Sequence, residues 1–313
     1  MHAAPTLSVI VPLHRVERYL DDCVDSILRE RTIELEVILV NDGSPDRSGR
    51  IAEARASRDA RIVVLHQPNR GVSRARSAGI ARARGRYLAF VDPDDIVPPG
   101  ALSRAAHTLD ASGSDALIAA YARLRPTETG GYRLSPVQPW VSRVHDVPRL
   151  GISPLEHPDV VGNVLACSRV IRRSAWNRMG LAFPPDRIYE DQILSAALYA
   201  RAERIDVVPD VLLQWRERAD GSSTTQNERD PETLIACLGA MRDSLAILDS
   251  EAAPVLADTR RRQMLERDVP RLLAQAGGGS LARAAVSAFA DGLLDALSGA
   301  ARAEHTGVPA LSR

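Results

Sequence analysis

Three short apolar runs, each stopped by a polar or acidic turn, most constrain how this chain can fold. They are Leu7-Ser8-Val9-Ile10-Val11-Pro12, Leu35-Glu36-Val37-Ile38-Leu39-Val40 and Tyr87-Leu88-Ala89-Phe90-Val91. Short apolar runs rich in β-branched residues and bounded by turn residues predict buried strands. Between them the apolar spacing is helical: Leu20, Val24, Ile27 and Leu28 stripe a helix over 19–28, and helices are predicted over 46–56 and 73–83, on either side of a further strand at 61–65. Strand–helix alternation with continuously apolar strands implies an α/β fold with a mainly parallel sheet covered on both faces. Ligands of such sheets sit beyond the carboxyl ends of the strands. Those ends carry Pro12-Leu13-His14, Asn41-Asp42-Gly43-Ser44 and Asp92-Pro93-Asp94-Asp95, which are predicted to converge on one cleft.

Beyond Pro98-Pro99-Gly100 a helix over 101–111 and a strand over 115–122 are predicted, whereas residues 125–160, with six prolines and little periodicity, read as loops with short strands. An apolar stretch over 164–171, a helix from Ser174, a helix opened by Glu190-Asp191, short strands at 207–208 and 211–215, and a polar loop over 220–225 follow. From Pro231 the sequence is rich in Ala, Leu and Arg at helical spacing, interrupted by Gly277-Gly278-Gly279 and fraying from about Glu304. A boundary is therefore expected near residue 230, with an all-helical region over 231–313. Ala282, Ala285, Val286, Phe289 and Leu293 share one face of it.

Forty basic residues balance forty acidic ones, which argues against a bulk electrostatic grip on nucleic acid or anionic lipid. Every basic residue is Arg, so chemistry that needs lysine (a Walker A loop, a Schiff base, a Ser-Lys dyad) is excluded. Cys23, Cys167 and Cys237 are far apart and odd in number, and no His pair has zinc spacing, so neither a disulfide framework nor a zinc site is expected. No apolar run is long enough to cross a bilayer, and the start has no basic-then-apolar leader. These features predict a soluble, cytoplasmic protein. Arg260-Arg261-Arg262 leaves open a peripheral contact with the inner membrane face, against the plainer reading of a solvated face.

Three carboxylates within four residues at the end of a buried strand repel one another unless a cation joins them. A hard divalent ion bound through one or two carboxylates plus ligand phosphates suits them. The plainer reading is an Asp-rich turn.

Taken in order, Ser8-Val9-Ile10-Val11-Pro12, Val40-Asn41-Asp42-Gly43-Ser44, Asn69-Arg70-Gly71-Val72-Ser73-Arg74-Ala75-Arg76, Gly79, Gly85-Arg86-Tyr87 and Phe90-Val91-Asp92-Pro93-Asp94-Asp95 resemble the nucleotide-binding half of family 2 glycosyltransferases. Tyr189-Glu190-Asp191-Gln192 and the segment from Trp215 to Thr224 extend the resemblance to about residue 226, and the second half resembles the branch that decorates bacterial surface polymers such as wall teichoic acids. The resemblance implies the GT-A fold, Rossmann-like, over 1–230 (a nucleotide-binding half over 1–100, an acceptor half over 101–230). It also implies an inverting transfer from a nucleoside-diphosphate sugar, by default a uridine one, to an acceptor hydroxyl, aided by Mg²⁺ or Mn²⁺.

The same resemblance suggests residue roles. Asp42 would bind the base, and Pro12 and His14 would shape the pocket, with His14 open to being a plain loop histidine. Glu17 would help to hold the nucleotide or simply stabilise a helix start. Asp92 would contact the ribose or sugar and the metal, Asp94 would coordinate the metal, and Asp95 would do so or cap the next helix. Arg74 and Arg76 would grip phosphate or be solvated. Asp191 would be the general base with Glu190 in support, the alternative being two acids at a helix N-terminus. Arg216, Arg218 and Ser222 to Thr224 would form a lid over the diphosphate or merely a connector. Trp215 would stack on an acceptor sugar or lie in the core. Ser77 stands where the family usually has Asn, which puts a small packing contact in doubt.

Two other readings compete. A sugar-nucleotide pyrophosphorylase would open with a Gly-rich basic loop where this chain has Pro12-Leu13-His14. A GT-A-like nucleotide-binding or scaffold protein without activity would not need Asp42, Asp92, Asp94 and Asp191 together. The acceptor (a polymer, a lipid-linked intermediate, a peptide or a small natural product) is left open, as is a homo-oligomer through the C-terminal helices.

Overall fold

The computed structural model describes residues 5–223, 228–251, 253–276 and 280–306. The predicted alternation is present: β1 (Leu7–Leu13), α1 (Leu20–Leu28), β2 (Leu35–Asp42), α2 (Ser48–Ala56), β3 (Ile62–Gln67), α3 (Val72–Arg82), β4 (Tyr87–Phe90) and α4 (Ala101–Ser112). Every residue of β1 and β4 is buried, which is why their sequences are continuously apolar rather than alternating. The chain continues through β5 (Ala116–Pro126), β6 (Tyr132–Leu134), α5 (Pro139–Val144), β7 (Arg149–Ile152), β8 (Arg169–Arg172), α6 (Arg173–Arg178), α7 (Glu190–Arg201) and β9 (Ile205–Arg216). The proline-rich 125–160 stretch thus holds two strands, a short helix and the starts of two 3₁₀ turns, because most of its prolines sit at helix starts and strand ends where no N–H is needed. The two strand candidates after Ile205 are one strand, whose pairing with β5 shifts register between Val208 and Leu213, around Pro209.

The nine-stranded sheet has the order β3-β2-β1-β4-β8-β5-β9-β7, with β6 added to β5. β1, β2, β3 and β4 pair in parallel, β8 runs antiparallel between β4 and β5, and β9 is parallel to β5. The sheet is therefore mixed, with most strands running one way. α3 packs on β1 and β2, and α4 on β5, β8 and β9.

From Pro231 the chain is helical: α8 (Pro231–Ser250), α9 (Pro254–Gln263), a π-helical turn (Met264–Asp268), α10 (Val269–Gln275) and α11 (Ser280–Thr306). Asp230 caps α8 by accepting the Thr233 amide at 2.9 Å. Leu248, Ala253, Leu256 and Ala257 join the main core, while Leu234, Leu238, Met241, Met264, Leu272, Val286, Phe289 and Leu293 form a second one. The face predicted for the last helix is the one that packs. The Gly277-Gly278-Gly279 break lies outside the described residues, and α11 continues past Glu304 to Thr306. No helix among the described residues is long and apolar enough to cross a membrane.

Two glycines fix the close approaches that hold α3 and β4 against β1. A Cβ on Gly79 would stand 2.5 Å from Ile10 Cγ2, and one on Gly85 would stand 2.4 Å from the Ser8 amide nitrogen. Gly85 faces backbone, which cannot swing away. Gly85→Ala is expected to destabilise the fold by about 1–3 kcal/mol, read as a lower denaturant midpoint at unchanged slope.

Candidate active site

Parallel register gathers the site. Leu13 is paired with Asn41, Asp42 with Gln67 and Ile10 with Phe90, so the residues following β1, β2 and β4 leave the sheet along one edge. Asp42 is buried, and its carboxylate is tied to the next loop. It accepts from Gln67 Nε2 at 2.7 Å, the Arg70 amide at 2.9 Å and the Gly71 amide at 2.8 Å. Gly71, at φ +82°, presents that amide from a conformation few side chains tolerate. Pro12 is buried, and half-buried His14 contacts the Asp42 carbonyl through Nδ1 at 3.2 Å.

At the centre lies Arg76, on the inner face of α3 and 2% exposed. Its Nη2 donates to Asp92 Oδ1 at 2.7 Å, and its Nη1 donates to Asp191 Oδ1 at 3.1 Å and to Glu190 Oε1. The Phe183 ring lies 5.0 Å from its guanidinium carbon. Burial by itself would lower the arginine's pKa; Asp92, Asp191 and Glu190 overcome this and hold it well above its usual value. One cation cannot neutralise three acids. Burial pushes Glu190 up to about 7, opposed by Arg76 and reinforced by Asp191. Asp191 Oδ2 accepts the Ala166 amide at 3.0 Å, and its side chain keeps 19% exposure at the first turn of α7. It is thus braced on both oxygens yet open to the cleft.

A second acidic–basic cluster follows β4. Arg218 Nε donates to Asp94 Oδ2 at 2.6 Å. Arg216 donates from its amide to Asp95 Oδ1 at 2.8 Å and from Nε to the Asp94 carbonyl at 2.6 Å. The Arg216 guanidinium is stacked between Tyr19 and Tyr132, 5.2 and 4.5 Å from their centroids. Burial raises the pKa of Asp94, with Arg218 opposing, and raises that of Asp95 well above the usual range, with Asp94 and Asp92 adding to it.

Several expectations need correction. Arg76 cannot grip phosphate from where it lies, because three carboxylates and Phe183 enclose it. Glu17 turns toward the start of α2, where Oε2 accepts the Arg47 amide at 2.9 Å and Nε at 3.1 Å. Asp95 caps no helix; Gly100 occupies the position before α4. Arg74 pairs with Asp186 on the surface. The Arg260-Arg261-Arg262 run is not a uniformly solvated face, although Arg262 is exposed. Arg260 is 3% exposed and bonded to Asp268 and Gln192, and Arg261 pairs with Asp249 and Asp258.

The remaining candidates have clear settings. Trp215 is half-buried, with Arg123 stacked 3.8 Å from its centroid. Ser77 donates back to the Ser73 carbonyl at 2.8 Å. Exposed Ser222 accepts from Arg218 at 3.3 Å and donates to Asp220 at 2.6 Å; Thr224 lies outside the described residues. The sequence reading missed Phe183, Tyr19, Tyr132 and the Ala166 amide. Tyr132 lies in the stretch without periodicity, and nothing local marks the others.

Among the described residues, no group of three or more metal-ligating side chains is assembled. Asp92 and Asp94 nevertheless fit a divalent ion that draws its remaining ligands from a diphosphate. The Asp92 side chain is 39% exposed beside buried Asp94, and burial and mutual repulsion leave the 92–95 acids short of positive charge.

A mostly parallel sheet with this order and flanking helices defines a GT-A-type fold, with an acid group at the end of β4 and an acidic pair opening α7. The family model for glycosyl transferase family 2 matches residues 8–178, and the chain belongs to that family. The uncharacterized glycosyltransferase EpsJ of Bacillus subtilis is 37% identical over 215 residues, covering 68% of this chain and 61% of EpsJ. The chain thus spans less than two thirds of that relative's length. Among solved structures, S. aureus TarS 1-349 superposes with a TM-score of 0.66 at 20% identity, over 93% of this chain and 83% of that one. The complex of TarS 1-349 with UDP-GlcNAc gives 0.60 at 20% identity, over 87% and 80%. The mannosyltransferase PcManGT from Pyrobaculum calidifontis, in complex with GDP-Man and Mn²⁺, gives 0.57 at 18% identity, over 96% and 81%.

The raised Glu190 carries a pH signature. Its folded pKa of about 7 lies above the ordinary carboxylate value of 4.5, so the folded state holds a proton that the unfolded chain releases. Its contribution to stability is complete below about pH 4.5 and is lost as pH rises through 7. Glu190→Gln, permanently neutral, is expected to remove that part of the decline in unfolding midpoint between pH 5 and 8; parallel curves for the two proteins would refute it.

Proposed function

We propose that this chain is an inverting glycosyltransferase that moves a sugar from a nucleoside-diphosphate donor, a UDP-sugar in the first instance, to the hydroxyl of an acceptor. One observation carries the reading. Asp92, from the nucleotide-binding half, and Asp191, from the start of α7, bond the same buried guanidinium. The acids proposed for donor and acceptor therefore stand within one arginine's span. The solved complex of TarS with UDP-GlcNAc supports the choice of uridine.

In this reading residues 1–230 form the catalytic domain, with base and ribose held in the nucleotide half by Asp42, Pro12 and His14. Asp191 accepts the proton of the acceptor hydroxyl as that oxygen attacks the anomeric carbon opposite the leaving group. The new C–O bond forms, the bond to the diphosphate breaks, its electron pair leaves with the diphosphate, and the anomeric configuration inverts. Arg218, with Ser222 on its guanidinium, stands beside Asp94 to receive the departing charge, while Arg216, stacked between Tyr19 and Tyr132, holds the Asp94 carbonyl in place. Asp92 and Asp94 would hold Mg²⁺ or Mn²⁺, which supplies further positive charge to the diphosphate. Glu190, carrying a proton near neutral pH, lets Arg76 brace Asp191 without a third full negative charge.

Calorimetric titration of UDP, GDP and dTDP, with and without Mn²⁺, on wild type and Asp94→Ala tests the donor site. The expected result is metal-dependent binding of one nucleotide, UDP, lost in the variant. No binding of any of the three would overturn the donor assignment. Asp191→Asn is expected to lower turnover by about 10²- to 10⁴-fold while UDP binding stays within about twofold. Nucleotide binding without turnover by wild type on any acceptor would favour a non-catalytic binding protein.

A further inference from the structure

The acidic pair that opens α7 is gripped from behind by the C-terminal helical region through a closed ring of hydrogen bonds and ion pairs. Tyr189 precedes the pair, and its hydroxyl donates to Glu228 Oε1 at 3.0 Å. Glu228, 1% exposed, pairs through Oε2 with Arg271 on α10. Arg271 Nη2 lies 3.9 Å from Asp268 Oδ1, and Asp268 Oδ2 accepts from Arg260 Nη1 at 2.9 Å. Arg260 Nη2 donates to Gln192 Oε1 at 3.2 Å, and the Gln192 amide closes the ring on the Tyr189 carbonyl at 3.1 Å. Glu190 and Asp191 are the two residues between its ends.

Two features mark the ring as a positioning device rather than incidental packing. Tyr189 sits at φ +60°, ψ +31°, a left-handed conformation that L-residues other than Asn and Asp seldom adopt. It makes the turn into α7 that aims Glu190 and Asp191 at Arg76, and it needs an outside anchor. The anchor's members cluster at one joint of the helical region, because the π-helical turn Met264–Asp268 presents Asp268 between Arg260 and Arg271. π-turns inside helices often mark functional positions.

We infer that Glu228, Arg260 and Tyr189 are positioning residues, through which the C-terminal helices hold the candidate base Asp191 in reacting geometry; this rests on the reading of Asp191 as the base. A displacement of about 1 Å at such a group can lower turnover by about a hundredfold.

The test uses the full chain and slow hydrolysis of UDP-GlcNAc, or of the donor the titrations select, followed as nucleotide release. Tyr189→Phe keeps the aromatic side chain and removes only the hydroxyl, opening the hydrogen-bond ring at Glu228. It is expected to lower kcat at least about tenfold, with KM for donor and Kd for UDP within about twofold, and to speed amide exchange over residues 190–194. Glu228→Ala should do the same, and Glu228→Gln, which still accepts from the tyrosine but sets an amide NH2 against Arg271, should recover only part of the loss. Wild-type kcat in Tyr189→Phe overturns the inference, as does a loss shared equally by kcat, UDP binding and unfolding midpoint, the mark of a merely structural role. Asp191→Asn is run alongside: full turnover there would overturn the base reading itself, and with it the reason for the ring, whereas loss there with a normal Tyr189→Phe overturns only the positioning role.

Discussion

A single buried guanidinium joins the two halves of this molecule's chemistry. Arg76 reaches from α3 to Asp92 at the end of β4 and to Glu190 and Asp191 at the start of α7, more than a hundred residues away in sequence. Burying a charge is unfavourable unless it is paired and hydrogen-bonded. The pairing therefore requires that the sheet edge, the loop carrying Phe183 and the start of α7 arrive together. A planar, permanently charged fork spreads five donors over three nitrogens and so reaches several acids at once, where a lysine has three donors on one atom. In a chain without lysine the same device recurs. The Arg216 guanidinium joins β9 to the Asp94 carbonyl and to Asp22, Arg260 ties α9 to Gln192 on α7, and Arg271 ties α10 to Glu228.

These arginines divide the site into a shielded part and an open part. Around Arg76 there is more acid than base, and burial with the neighbouring Asp191 pushes Glu190 up to about 7. Around Asp94 the side chains of Arg218 and Ser222 lie closer to solvent, on a segment that follows the last strand. The shielded part is suited to keeping Asp191 in one orientation. The open part is suited to meeting a ligand that brings its own negative charge and its own cation.

The strands were legible in the sequence because buried parallel strands leave continuous apolar runs, and β1, β2 and β4 follow those runs to within a residue or two. The acids at their ends were legible for a related reason: a polar turn after a buried strand has one place to go. Partnership was not legible. Arg76 has the sequence setting of a solvated or phosphate-binding arginine, and only its three distant carboxylates show otherwise. Glu17 has the setting of a ligand-binding acid, and Arg47, thirty residues on, claims it. The Arg260-Arg261-Arg262 run has the composition of a surface, yet its first member is interior, since Asp268 and Gln192 arrive from about two turns beyond and from another helix.

By itself, the sequence determined the alternation of strands and helices and the sheet edge at which the acids gather, because these follow from helical periodicity and from the continuous apolar runs of buried strands. Tertiary structure alone decided which charge meets which, that Tyr132 and Phe183 wall the site, and that the C-terminal helices reach the back of α7. Ion pairing depends on distance in space and on exclusion of water. Neither is encoded within any window of the chain short enough to be read locally.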